Sequence, residues 1–176
     1  MSAEDRTSTD NRTNTEDRVG IGFDVHAFAD AEQQRTLVLG GTAIPGGKAL
    51  DGHSDADVLT HALMDAMLGA LALGDIGAFF PDTDERYRGI SSMRLLADVK
   101  RRIEREGYIV YNADMTIVAE RPRMAPHVDE IRDSIAGALG VTRDKIGVKA
   151  TTTEGLGFTG REEGIGAQAI VRLVRK

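Results

Sequence analysis

From Val19 the chain alternates: Val19, Ile21, Phe23 and Val25 are apolar, and Gly20, Gly22, Asp24 and His26 stand between them. Successive side chains of a strand leave opposite faces. The pattern therefore predicts a strand that turns its four apolar residues to a core and presents Asp24 and His26 together on the other side. A second strand-like run, Thr36 to Leu39, meets Gly40 and Gly41, and the loop Pro45, Gly46, Gly47 follows. Ser54 with Asp57 three residues later has the form of a capping box, and the Ala- and Leu-rich stretch behind it predicts a helix as far as Gly74. Helical spacing puts Asp57, His61 and Asp65 in one stripe.

Further on, Leu95, Leu96, Val99 and Ile103 recur at helical spacing between Ser91 and Glu106, with Gly107 as the stop. Tyr108 to Ala119 reads as a strand. Pro126 suits the first turn of a third helix, whose apolar positions Val128, Ile131, Ile135 and Leu139 lead to Gly140. Ile146 to Ala150 and Ile165 to Val174 are closing strands. No linker divides residues 18–176, so strands mixed with helices predict one α/β domain. Residues 1–17, whose only apolar members are Met1 and Ala3, are expected to be a disordered polar tail.

Composition narrows the function. A length of 176 residues with 41% hydrophobic content suits one core. With 28 acidic against 22 basic residues, no basic footprint for nucleic acid is expected, and any polyanion must bind locally. The absence of cysteine excludes disulfides and thiolate metal sites. It suits a reducing compartment, and a cytoplasmic protein is expected. The most apolar stretch, Val58 to Leu73, carries His61 and Asp65, which argues against a membrane span.

Three of the four histidines, His26, His53 and His61, lie in polar clusters beside aspartates. Asp24 and His26 leave one face of a strand, and a helix crossing that face can add His61. An Asp-His-His set suits a tetrahedral zinc with one open position, with Asp57 or Asp65 orienting His61 from behind. The alternative is a pair of solvated strand-end residues and a satisfied helix histidine. His53 and Ser54 before a helix suit phosphate, or plain capping by Ser54. Lys149 to Glu154 (Lys-Ala-Thr-Thr-Thr-Glu), followed by Gly155 to Arg161, puts hydroxyls, a carboxylate and two cations around a glycine-rich turn. Such a segment can wrap phosphate oxygens, with Glu154 on magnesium or manganese; a threonine-rich strand entering a flexible turn is the other reading.

The stretches GFDVHAF, GHSDADVLTHALMDAMLGALALGDIG, FFPDTD, RPRMAPH and VKATTTEGLGFTGREEGIG resemble the methylerythritol cyclodiphosphate synthase family of the non-mevalonate isoprenoid pathway. The likeness runs in order from Arg18 to the C-terminus. It implies an α/β (α+β) fold with a single-layer mixed sheet packed with helices, assembled as a homotrimer with sites between subunits. It also implies a metal-dependent phosphorus–oxygen lyase that converts 4-diphosphocytidyl-2-C-methyl-D-erythritol 2-phosphate to the cyclic diphosphate with release of CMP.

By the same resemblance Asp24, His26 and His61 hold zinc, and Glu154 helps hold a second divalent cation. Substrate contacts fall at Asp24, Val25, His26, His53 and Ser54, at Asp75, Ile76 and Gly77, and at Phe80, Pro81, Asp82, Thr83 and Asp84. The cytidine pocket matches Ala119, Glu120, Arg121, Pro122, Arg123, Met124 and Ala125 with Thr151, Thr152, Thr153 and Glu154. Phe158 and Arg161 match further contacts, and His53 and Thr152 match positions thought to stabilise the transition state. Two departures stand out: Glu162 where the family commonly has Gly, and Arg123 where it has Lys. The first bears on an axial cavity in which some members hold an isoprenoid diphosphate. Two other functions use the same residues: a zinc phosphohydrolase, and an inactive trimer that binds a nucleotide or isoprenoid diphosphate.

Overall fold

The computed structural model describes residues 16–30 and 35–176. In chain order its strands are β1 (Arg18–Ala27), β2 (Val38–Leu39), β3 (Thr42–Ala43), β4 (Tyr108–Val118), β5 (Ile146–Thr151) and β6 (Gly164–Arg175). Its helices are α1 (Val58–Ala70), α2 (Ile76–Phe79), α3 (Ser92–Arg105), α4 (Val128–Leu139) and α5 (Gly157–Gly160). The four long strands form a mixed sheet in the order β1-β6-β4-β5, and β2 with β3 makes a separate ribbon. β6 is antiparallel to both neighbours, and β4 and β5 are parallel, joined through α4. A parallel pair needs such a crossover, because a tight turn cannot return the chain to the same end of the sheet.

α3 and α4 follow their sequence patterns closely. Leu95, Leu96, Val99 and Ile103 are buried, Gly107 after α3 has φ +84°, and Gly140 ends α4 at φ +71°. Both glycines supply the left-handed turn that stops a helix. The run expected from Thr36 is shorter, pairing only at Val38 and Leu39.

β1 faces the opposite way from its hydrophobic pattern. Val19, Ile21, Phe23 and Val25 are 67%, 61%, 61% and 44% exposed, whereas Gly20 and Gly22 are buried under α1. A Cβ on Gly20 would lie 1.9 Å from the Ala66 carbonyl oxygen, and one on Gly22 2.0 Å from that of Ala62. The core face is thus the face without side chains, because there the helix backbone rests directly on the strand. α1 is correspondingly buried at every residue except Asp65 and Gly69, as expected of a helix that is apolar all round.

Asp57, not Ser54, caps α1. Its fully buried carboxylate accepts from Thr60 N (3.0 Å), Thr60 Oγ1 (2.8 Å), Gly40 N (2.9 Å) and Gly41 N (2.7 Å). Burial pushes this carboxyl up, and the donors around it pull it part of the way back. One side chain therefore starts the helix and holds the turn between β2 and β3. α1 ends at Ala70 rather than Gly74, with Ala72 at φ +54° and Gly74 at φ +95° in the loop that follows.

Of the tail expected over residues 1–17, residues 1–15 lie outside the described residues. Glu16 accepts from the Tyr108 hydroxyl at 3.2 Å, and Asp17 pairs with Arg172 at 2.5 Å. Among the described residues no helix is long and apolar enough to cross a membrane. The contact between α1 and β1 sets a first expectation. Gly22→Ala forces the helix off the strand and lowers stability by roughly 3 kcal/mol or more; chemical denaturation that finds a loss below roughly 1 kcal/mol contradicts so close an approach.

Candidate active site

Asp24 and His26 project from the helix-covered side of β1, and His61 meets them from the first turns of α1. Asp24 Oδ2 is 3.1 Å from both His26 Nε2 and His61 Nδ1, and those two nitrogens are 3.1 Å apart. Three potential ligand atoms thus converge on one point. A tetrahedral cation with bonds of about 2.0–2.1 Å holds its ligand atoms about 3.3 Å apart, so the triangle fits such an ion with little adjustment. Two imidazoles and one carboxylate also match that chemistry better than an all-oxygen octahedral site.

The far side of each ring is engaged. His26 Nδ1 lies 2.6 Å from the Asp51 carbonyl oxygen, which can only accept, so this nitrogen carries the proton and Nε2 is left with its lone pair. His61 Nε2 lies 2.9 Å from Ser92 Oγ and 3.3 Å from Ser54 Oγ. The aspartates expected behind His61 are committed elsewhere: Asp57 as the cap, and Asp65 as acceptor for Ile76 N at 2.8 Å. Ser92 and Asp55 take that place, and no helical spacing relates either to His61, so sequence reasoning missed them. Burial alone raises the Asp24 carboxyl, but the two histidine rings, when protonated toward it, overcome this through hydrogen bonds and charge and hold the group well below the carboxylate range. Desolvation likewise lowers the His26 ring, and Asp24 and Asp51 outweigh it to give a net upward shift.

The triad opens into a cavity of about 470 Å³ lined by Asp24, His26, Gly52, His53, Ser54, His61, Ile76, Gly77, Phe80, Pro81, Asp82, Tyr87 and Leu95. That volume suits a small ligand. His53 Nε2 is 3.1 Å from the Asp84 carbonyl oxygen, which fixes the ring at the cavity wall. Arg35 holds the loop below it through the carbonyls of Gly52 (3.0 Å) and Ser54 (2.5 Å). Other expected contacts have local duties: Asp75 caps α2 through Ala78 N, and Asp84 accepts from Arg86. Val25 points to the opposite, exposed face of β1, and Thr83 is exposed in the loop before the 3₁₀ turn at Glu85–Tyr87. Tyr87 and Leu95 complete the wall without any motif to announce them.

The model of the YgbB family matches residues 17–174. The chain belongs to that family. A 2-C-methyl-D-erythritol 2,4-cyclodiphosphate synthase of Desulfitobacterium hafniense is 60% identical over 158 residues, covering 90% of this chain and 98% of the relative. Among solved structures, the bifunctional IspDF of Campylobacter jejuni superposes with a TM-score of 0.87 at 40% identity, covering 92% of this chain and 43% of that one. The CDP complex of Plasmodium falciparum IspF gives 0.79 at 31% identity, covering 91% and 97%.

In this YgbB-family chain the remaining expected residues gather away from the triad. Glu120, Arg121, Pro122 and Arg123 line a second cavity of about 480 Å³ with Phe28, Gly46, Gly47, Lys48 and Glu162. Ala119 and Met124 are buried and Ala125 is exposed. Thr151 closes β5, and Thr152 donates to Glu154, which sits at φ +52°. Glu120 organises this loop by accepting from Thr153 N (2.9 Å), Thr153 Oγ1 (3.2 Å) and Gly155 N (3.3 Å). The cations expected to meet phosphate are paired: Lys149 with Asp114 at 2.6 Å and Arg161 with Glu163 at 2.8 Å. Glu162 takes the left-handed conformation (φ +54°) that a glycine adopts freely, and it pairs with Arg121 at 3.4 Å. Phe158 is partly exposed near Gly166. β1 and β5 are the opposite edges of the sheet, three strand spacings of about 4.8 Å apart. The loop contacts predict that Glu120→Ala speeds amide exchange at Thr153 and Gly155 and leaves the melting temperature nearly unchanged; unaltered exchange in mass-spectrometric hydrogen exchange argues against the anchor.

Proposed function

We propose that the chain is a 2-C-methyl-D-erythritol 2,4-cyclodiphosphate synthase acting on 4-diphosphocytidyl-2-C-methyl-D-erythritol 2-phosphate. The observation that carries the reading is the 3.1 Å triangle of Asp24, His26 and His61 at the floor of a cavity walled by Ile76, Phe80 and Pro81. Relatives named for this activity, identical at 60% of aligned positions, support it. An oxygen of the 2-phosphate bonds to the β-phosphorus as the bond from that phosphorus to the bridging oxygen breaks, and CMP leaves. The nucleophile is already an anion, so the chain need not supply a general base.

What the chain does supply is placement and exclusion of water. The loop at Gly52 to Ser54, held by Arg35, and the start of α2 flank the methylerythritol phosphate part of the substrate, and the apolar wall keeps solvent from the phosphorus. His53, held on the Asp84 carbonyl through Nε2, lines the same cavity, and as an imidazolium it would donate its Nδ1–H to a phosphate oxygen. When bound, zinc on Asp24, His26 and His61 and magnesium or manganese on Glu154 supply positive charge to the phosphate oxygens.

Two features of the chain support an assembly of several copies. The cytidine segments at Ala119 to Ala125 and Thr151 to Glu154 do not line the cavity at the triad. The sheet face opposite the helices also leaves Ile21, Phe23, Ile109, Tyr111 and Ile170 open to solvent, an apolar area that calls for cover. A homotrimer whose sites lie between subunits accounts for both features.

Incubation with the cytidine substrate, zinc and magnesium yields CMP and a cyclic diphosphate in phosphorus NMR. An open-chain phosphate product would instead indicate a phosphohydrolase, and unchanged substrate an inactive binder. His61→Ala lowers metal affinity and turnover by more than roughly a hundredfold; retained zinc with normal CMP release removes the triad from the reaction. Phe23→Glu places a charge on the open face and shifts the protein from trimer to monomer in light scattering, with loss of turnover. A wild-type chain that is monomeric yet fully active refutes the shared site.

A further inference from the structure

We infer that Asp55 and Ser92 are positioning residues that fix the tautomer of His61, keeping its proton on Nε2 so that Nδ1 turns a lone pair toward Asp24 and His26. The inference rests on the metal-binding reading of the triad and adds the device that makes His61 a competent ligand. Ser92 is the first residue of α3 and fully buried. Its hydroxyl lies 2.5 Å from Asp55 Oδ1, and its backbone N donates to Asp55 Oδ2 at 3.0 Å. A carboxylate accepts only, so the single hydroxyl proton of Ser92 goes to Asp55. The same oxygen, 2.9 Å from His61 Nε2, is then left to accept and draws the proton of the neutral ring to Nε2, against the longer 3.1 Å contact of Nδ1 with Asp24 Oδ2.

Ser54 is the weaker partner of Nε2, and its own hydroxyl proton has Ser92 Oγ within 3.5 Å. Its oxygen is farther from Nε2, at 3.3 Å, and already accepts from Ala56 N at 3.2 Å. His61 is itself buried, so bulk water does not reset the tautomer. Asp55 is secured in turn, because its backbone N donates to the Ile90 carbonyl at 3.0 Å and its Oδ1 accepts from Asp57 N at 3.3 Å. The segment before α1, the helix itself and the start of α3 therefore meet through one directed chain of hydrogen bonds, from His61 to Ser92 to Asp55.

The direction of that chain can be reversed with a near-isosteric change. In Asp55→Asn the amide oxygen keeps the Ser92 backbone N–H, and the amide nitrogen faces Ser92 Oγ as a donor. The hydroxyl proton then turns to His61 Nε2 and the ring proton moves to Nδ1, the atom that must bind the metal. Ser92→Ala only deletes the acceptor and leaves the tautomer unconstrained.

The test uses the full chain before and after zinc loading. Nitrogen-15 histidine NMR above about pH 8, where an imidazole is uncharged, reads the tautomer, and chelator competition reads cobalt(II) affinity. In the zinc-free wild type His61 carries its proton on Nε2. Asp55→Asn moves it to Nδ1 and weakens cobalt binding roughly 10- to 100-fold, and Ser92→Ala gives a smaller loss with a mixed tautomer. Wild-type His61 protonated on Nδ1, or an Asp55→Asn chain with unchanged tautomer and affinity, overturns the inference. The wild-type spectrum decides even where a variant fails to fold. A wild type that shows the Nε2 proton and binds no cobalt supports the tautomer assignment and refutes the metal reading, so the two failures are distinguishable.

Discussion

Backbone-to-backbone contact between α1 and β1 is the constraint on which the molecule depends. With Gly20 and Gly22 beneath Ala66 and Ala62, no side chain separates helix from strand, and their spacing is set by the main chain alone. Asp24 and His26 continue the same strand face beyond the glycines, and His61 stands one turn before Ala66 on the helix. The distances within the triad are therefore inherited from the closest packing in the fold. A looser, side-chain-mediated contact would leave the three ligand atoms free to drift by more than a metal bond tolerates.

Much of the architecture was legible in the sequence, because α3 and α4 are amphipathic, end at glycines and bury the residues their spacing selects, except Val128, which is half-buried. The pairing of Asp24 with His26 was equally legible, since two-residue spacing on a strand leaves little choice of face. The side of β1 that packs was not. Hydrophobicity assigns Val19, Ile21 and Phe23 to the interior, yet the buried side is the one carrying glycine. The apolar row lies on the open sheet face, which the proposed assembly would cover. Asp55 and Ser92 were missed for a related reason: they reach His61 from a loop and from another helix, a relation that only the packing of α3 against α1 creates. Asp57 was misread because its place in the His61 stripe concealed its part as the cap.

The candidate site also shows how a small domain divides its labour. The side near β1 is enclosed, with the ligand triad and an apolar wall; the side near β5 is a loop held by Glu120, with Thr152 and Glu154 turned outward. Neither half contains a full set of groups for a diphosphate joined to a nucleoside. Local hydrogen bonds organise each half separately.

The carboxylate of Asp57 has a consequence beyond capping. By holding Gly40, Gly41 and Thr60 at once, it joins residues distant in sequence through a buried anion that cannot be exposed piecemeal. The small ribbon and the entrance of the central helix open and close as one cooperative unit. The loop between them, which carries His53, Ser54 and Asp55, is thereby anchored at its downstream end, and local fraying there is suppressed without any contact to ligand.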